Sequence, residues 1–229
     1  MNTMPHQKTK PLYMLSPSSL NLLQDCPRCF WLSMVKKQKR PSGAFPSLPS
    51  GVDHLLKMHF DRHRAKGELP PELNHHRVEA RLFADMELLK LWRNNFKGIQ
   101  YIDEKSGILL RGAVDDLLEH GSKLIVLDYK TRGFPVKDDT SAHYQDQLNI
   151  YNFLLRKNGY ETEDFAYLLF FIPESISETG HFVFHTELVK MAINIRHAEE
   201  LFHRAIDILQ NGIPDVSEKC GFCKWANNE

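Results

Sequence analysis

The chain has 229 residues, of which 42% are hydrophobic and 25% charged, and its 29 basic residues balance its 29 acidic ones. That length and composition suit a globular protein of about one domain and exclude disordered and collagen-like classes. No apolar run reaches the length of a transmembrane helix and residues 1–15 lack the apolar segment of a signal peptide, so a cytoplasmic location and no membrane partner are expected.

The zero sum hides an asymmetry. Residues 1–50 carry seven basic residues against one acid, Asp25. Lys36, Lys37, Lys39 and Arg40 form a basic group that suits an anionic partner or complements a helix end. Residues 1–13 read as a lead-in. Ser16-Pro17-Ser18-Ser19 starts a helix over 18–36, reshaped at Cys26-Pro27-Arg28-Cys29. The Pro- and Gly-rich stretch 41–51 reads as a loop ordered by Phe45 and Leu48. Apolar spacing predicts helices over 51–65 and 74–95, the second from Val78, Leu82, Met86, Leu89 and Trp92. The period then changes to that of strands over 99–105, 107–118 and 123–130, the last two forming a hairpin about Glu119–Ser122. A helix over 140–158, a buried strand over 164–172 closed by Pro173, a short strand over 181–186 and a helix over 187–211 follow. Helices flanking a mixed central sheet make an α/β fold.

Chemistry concentrates at the hairpin. Asp128 and Lys130 share one face of their strand while Tyr129 takes the other, and Asp115 lies on the partner strand. Two carboxylates brought that close repel unless a cation lies between them, and Mg²⁺ favours such hard oxygen ligands. A polar strand end in an ordinary hairpin is the plainer alternative. The apolar run Leu124–Leu127 leading into Asp128 favours a cleft.

These segments resemble the PD-(D/E)xK nuclease superfamily, and within it the RecB-like exonucleases, which include CRISPR-associated members. The Gly-x-x-Asp motif corresponds to Gly112–Asp115, the Asp-x-Lys motif to Asp128–Lys130, and the Gln-x-x-x-Tyr motif to Gln147–Tyr151. The resemblance implies a restriction-endonuclease-like core over 51–212 in a single nuclease domain spanning 1–229. It implies a Mg²⁺- or Mn²⁺-dependent deoxyribonuclease acting on DNA ends or single strands, or else a nuclease-fold DNA-binding or partner subunit without turnover. Asp115, Asp128 and the Tyr129 carbonyl would hold the ion, Lys130 would act on water, and Gln147 and Tyr151 would position substrate. The family's upstream helix ligand falls near Gly51 at altered spacing, leaving Asp53 and His54 as candidates. Lys36, Lys37, Lys39 and Arg40 would meet DNA phosphates, and a helicase or a repair, recombination or CRISPR protein is the implied partner.

Cys26-x-x-Cys29 and Cys220-x-x-Cys223 have metal-knuckle spacing, and four thiolates suit Zn²⁺ or an iron–sulfur cluster. Either would tie region 16–50 to tail 214–229. The resemblance implies a [4Fe-4S] cluster held by one N-terminal and three C-terminal cysteines. No further cysteine follows Cys223, so Cys29 is expected to supply the fourth ligand.

Overall fold

The computed structural model describes residues 11–41, 43, 46–137 and 139–226, with the backbone alone for 224–226. Phe45 lies outside the described residues. Strand β1 (Met14–Leu15) leads into α1 (Pro17–Asp25), whose start is fixed by a reciprocal Ser16–Ser19 cap with Pro17 in the first turn. Extended Cys26 separates α1 from α2 (Pro27–Val35). The long α3 (Ser47–Lys66) begins four residues before its expected start. Pro49 is tolerated because first-turn amides have no partner within the helix. Leu48 is exposed there and orders no loop.

The expected helix over 74–95 does not form as one unit. The chain makes α4 (Pro71–His75), β2 (Arg81–Leu82) and α5 (Met86–Arg93). Arg77 at φ 53° breaks the first piece, and Asp85 caps α5 by accepting from the Leu88 amide. Val78 and Leu82 pack in one core, Leu89 and Trp92 in another, so their helical spacing is coincidental.

Next come β3 (Ile99–Asp103) and β4 (Ile108–Gly112), then β5 (Asp116–His120) and β6 (Lys123–Thr131). The expected strand 107–118 is therefore two strands, parted at Ala113–Asp115, and they enter different sheets. One sheet has the order β1-β4-β3. The other is mixed, with the order β2-β5-β6-β7-β8. A 3₁₀ turn over 141–144 precedes α6 (Gln145–Lys157), which makes the crossover between parallel β6 and β7 (Phe165–Ile176). Strand β7 continues through Pro173, with a register irregularity between Pro173 and Ser175, against β8 (Phe182–Ala192). The expected helix 187–211 thus surrenders its first residues to β8, and α7 (Ile195–Gln210) starts at the Asn194 cap. Helix α8 (Gly221–Ala226) ends the described chain.

The five-stranded sheet buries both faces with strict alternation. Leu124, Val126, Leu168 and Phe170 pack with α1, α6 and α7. Ile125, Leu127, Leu169 and Phe171 pack with Phe60 of α3 and Leu73 of α4. Asp128 and Lys130 continue the first set, so the same alternation delivers them to α6. Among the described residues, no helix is long and apolar enough to cross a membrane.

Candidate active site and cysteine cluster

The β5–β6 register pairs Asp116 with Leu127, which sets Asp115 beside Asp128 at the strand ends. The Tyr129 amide donates to Asp115 Oδ2 at 3.1 Å, and Arg93 Nε donates to the Asp115 carbonyl at 2.7 Å. Asp115 is thus held from both its side chain and its backbone. Behind it, Asp116 is fully buried and pairs with Arg64 and with Arg93 (2.9 Å), while the Tyr129 hydroxyl donates to it at 2.5 Å. Arg64 and Arg93 also share Asp61. This network satisfies the buried charges on the α3 side and stiffens the strand ends.

On the α6 side, Asp128 is buried and ion-paired to Lys130. Gln147 Nε2 donates to Asp128 Oδ1 at 3.3 Å and to the Tyr151 hydroxyl at 2.7 Å, while its Oε1 accepts from Lys130 at 3.3 Å. The amide is therefore oriented by three partners. Gly112 admits this arrangement, because a Cβ there would stand 2.7 Å from Tyr151 Cδ1. Burial and the nearby Asp115 push the Asp128 carboxyl up to about 7, against the opposing pull of Lys130. Burial disfavours the charge of Lys130, but Asp128 and Asp115 outweigh it and raise its pKa, so it stays an ammonium. Burial also raises the Tyr151 hydroxyl well above its ordinary value, keeping it a neutral phenol.

Helix α3 brings Asp53 to the same place, through Lys57. The Lys57 ammonium lies 2.8 Å from Asp53 Oδ2 and 2.8 Å from Asp115 Oδ1. His54, the other candidate, is exposed. Three carboxylates therefore face two ammonium groups, and Asp128 Oδ2 has no hydrogen-bond donor of its own beyond the Lys130 ion pair. Hard oxygen donors with unmet negative charge fit Mg²⁺ or Mn²⁺. A polar cavity of about 310 Å³, lined by Ser18, Asn21, Asn95, Arg111, Gln147 and Tyr151, opens beside them. The acids and lysines line neither this cavity nor a larger apolar groove of about 750 Å³ along α3, α4 and β7–β8, but the polar cavity shares Gln147 and Tyr151 with their network.

A family model for the PD-(D/E)XK nuclease superfamily matches residues 14–227. The chain belongs to that superfamily. No curated protein matches it closely enough to count as a relative. Within the superfamily frame, Asp115, Asp128, Lys130, Gln147 and Tyr151 converge in one place, and Asp53 joins them. The basic group lies elsewhere. Lys36 approaches the Trp31 ring, Lys37 donates to the Met34 carbonyl and Lys39 is exposed. Arg40 turns to the cysteines, stacking on Phe222 at 4.6 Å and donating to Cys220 Sγ at 3.5 Å. Lys57, Arg64, Arg93 and Asp116 had no motif to announce them. The one local signal was the Asp53–Lys57 spacing, which usually marks a solvated helix pair.

The four cysteines are buried together, and they link the N-terminal helices to the tail. Cys26 to Cys223 is 3.5 Å between sulfurs, Cys29 to Cys220 is 3.7 Å and Cys29 to Cys223 is 4.0 Å. All four sulfurs lie within 4.8 Å of one another. Burial pushes Cys29 up to about 12. Cys220 is drawn down to about 6 against burial, by the Cys223 backbone and the other thiols. A single tetrahedral Zn²⁺ with bonds of about 2.3 Å separates its sulfurs by about 3.8 Å, which these distances match. Four thiol ligands are also what an iron–sulfur cluster takes.

Proposed function

We propose that the protein is a divalent-metal-dependent deoxyribonuclease hydrolysing phosphodiester bonds at DNA ends or in single strands. The observation that carries this reading is the meeting of Asp115, Asp128 and Lys130 with Gln147 and Tyr151 in one buried network. Asp53, Asp115, Asp128 and the Tyr129 carbonyl are the groups that would hold Mg²⁺ or Mn²⁺, which supplies Lewis acidity and an activated nucleophile when bound. Lys130, kept charged, stabilises negative charge on the phosphoryl oxygens rather than acting as a neutral base. Gln147 orients Lys130, and Tyr151 offers its hydroxyl proton toward the polar cavity, where a nucleotide would sit. Lys36, Lys37 and Lys39, away from this network, are proposed to meet DNA phosphates, and a helicase or recombination protein is the partner proposed to feed DNA to the site.

The cysteine cluster is read as a single structural Zn²⁺ site, on the sulfur spacing, in place of the [4Fe-4S] cluster that the family resemblance implies. Purified protein should be colourless and carry one zinc per chain by elemental analysis. Brown protein with iron and acid-labile sulfide would reverse this assignment.

The nuclease reading is tested by incubating end-labelled single- and double-stranded DNA with the protein and Mg²⁺ or Mn²⁺. Wild type is expected to cleave, chelator to stop cleavage, and Lys130→Ala to reduce it by at least about 10²-fold. Equal trace cleavage by wild type and Lys130→Ala would show the activity to be a contaminant. DNA binding that survives chelator without cleavage would make the chain a binding subunit.

A further inference from the structure

Between Asp53 and Asp115 stands a cation that the chain itself provides. Lys57 lies one helical turn beyond Asp53 on α3, and its ammonium is 2.8 Å from Asp53 Oδ2 and from Asp115 Oδ1. The side chain is 22% exposed, so this is not a loose surface pair. Asp115 cannot turn away, because its second oxygen accepts from the Tyr129 amide. Among the described residues, only the cysteines bring three or more potential ligand atoms within 4.8 Å of one another. The three carboxylates do not all close to that distance of one another, and the Lys57 ammonium stands between Asp53 and Asp115.

We propose that Lys57 is an internal competitor for the divalent ion: loading requires its ammonium to leave the Asp53–Asp115 pair. This rests on the reading of Asp53, Asp115 and Asp128 as metal ligands. Mg²⁺ binds carboxylate oxygens at about 2.1 Å, and an ammonium sharing those oxygens would be driven out by its charge and its bulk. The lysine therefore does two opposing things. It stabilises the acids by pairing them, and it lowers the affinity of the site for metal. As a positioning residue it sets the metal concentration at which the site fills.

Mn²⁺ titration followed by calorimetry at pH 8 tests this without using cleavage. Lys57→Met is expected to bind Mn²⁺ at least tenfold more tightly than wild type, while Lys57→Arg stays within about threefold of wild type. Equal or weaker binding by Lys57→Met overturns the proposal. Absence of binding in both proteins removes the metal-site reading, and this proposal with it. A second measurement uses wild type alone, so it does not depend on a variant folding. Reductive methylation of Lys57, mapped by mass spectrometry, should be several-fold faster with saturating Mg²⁺ than in chelator. An unchanged or slower rate overturns the displacement.

Discussion

Asp128 shows how one residue couples the strength of the fold to the readiness of the site. Its carboxyl is held up to about 7 by burial and by Asp115, against an ordinary value of 3.8. Between those values the folded protein binds more protons than the unfolded chain, so stability falls as pH rises through that window and levels off above it. Asp128→Asn has no such proton to lose. In chelator, wild type should therefore lose at least about 1 kcal/mol more stability than Asp128→Asn between pH 4.5 and pH 8. Urea midpoints at several pH values measure this, and parallel curves for the two proteins would refute it. The same ionisation governs metal binding, which needs the carboxylate. Mn²⁺ affinity of the wild type should thus rise with pH up to about 7 and flatten above it. A pH-independent affinity across that range would mean that Asp128 is not a ligand.

At the scale of elements, the decisive event is the break between β4 and β5, where the chain leaves one sheet for the other at Ala113–Asp115. Gly112 sits at that break because the Tyr151 ring and Leu154 of α6 occupy the place of a side chain. Gly112→Ala would set its Cβ 2.7 Å from Tyr151 Cδ1 and 2.9 Å from Leu154 Cδ1, and α6 must shift to relieve it. The expected cost is about 1–3 kcal/mol of stability. Since Tyr151 and Gln147 ride on α6, cleavage should fall by about tenfold or more even where the variant is fully folded. Unchanged melting and unchanged cleavage together would show that the close approach has no consequence.

This break also marks the limit of what sequence pattern reveals. Residues 107–118 carry strand-forming apolar residues on both sides of Arg111–Gly112, and the packing of Gly112 on α6 goes with the break between them. The helix expected over 74–95 failed for a related reason. Val78 and Leu82 have helical spacing with Leu89 and Trp92, yet the two pairs bury in different cores. By contrast, the hairpin and the Asp128–Lys130 face were legible from local period alone, and the Gln147–Tyr151 pair from the family resemblance. Lys57 was not, because its partner Asp115 is distant in sequence and only the packing of α3 on the sheet brings them together.

At the scale of the whole molecule, the cysteine cluster joins segments 197 residues apart through Cys26 and Cys223. The two sides of that junction are not equally dependent on it. Leu20, Leu23 and Phe30 of α1 and α2 are fully buried in the larger core, packed with α6 and α7. The N-terminal helices are therefore held without the cysteines. The tail has much less. Among the described residues, the Pro214 carbonyl accepts from Arg28 at 2.9 Å, Phe222 lies under Arg40, and the cysteine cluster supplies further anchorage. Removing the proposed zinc should thus release the tail before the core. Cys220→Ser, or treatment with a strong zinc chelator, is expected to lower stability by about 2–5 kcal/mol, as loss of a long-range cross-link does. Limited proteolysis should then cut between Asn211 and Cys220 while the preceding residues persist as a folded fragment. If the whole chain is digested at once, the cluster supports the core as well. If the tail stays protected, Arg28 and Arg40 are sufficient to hold it.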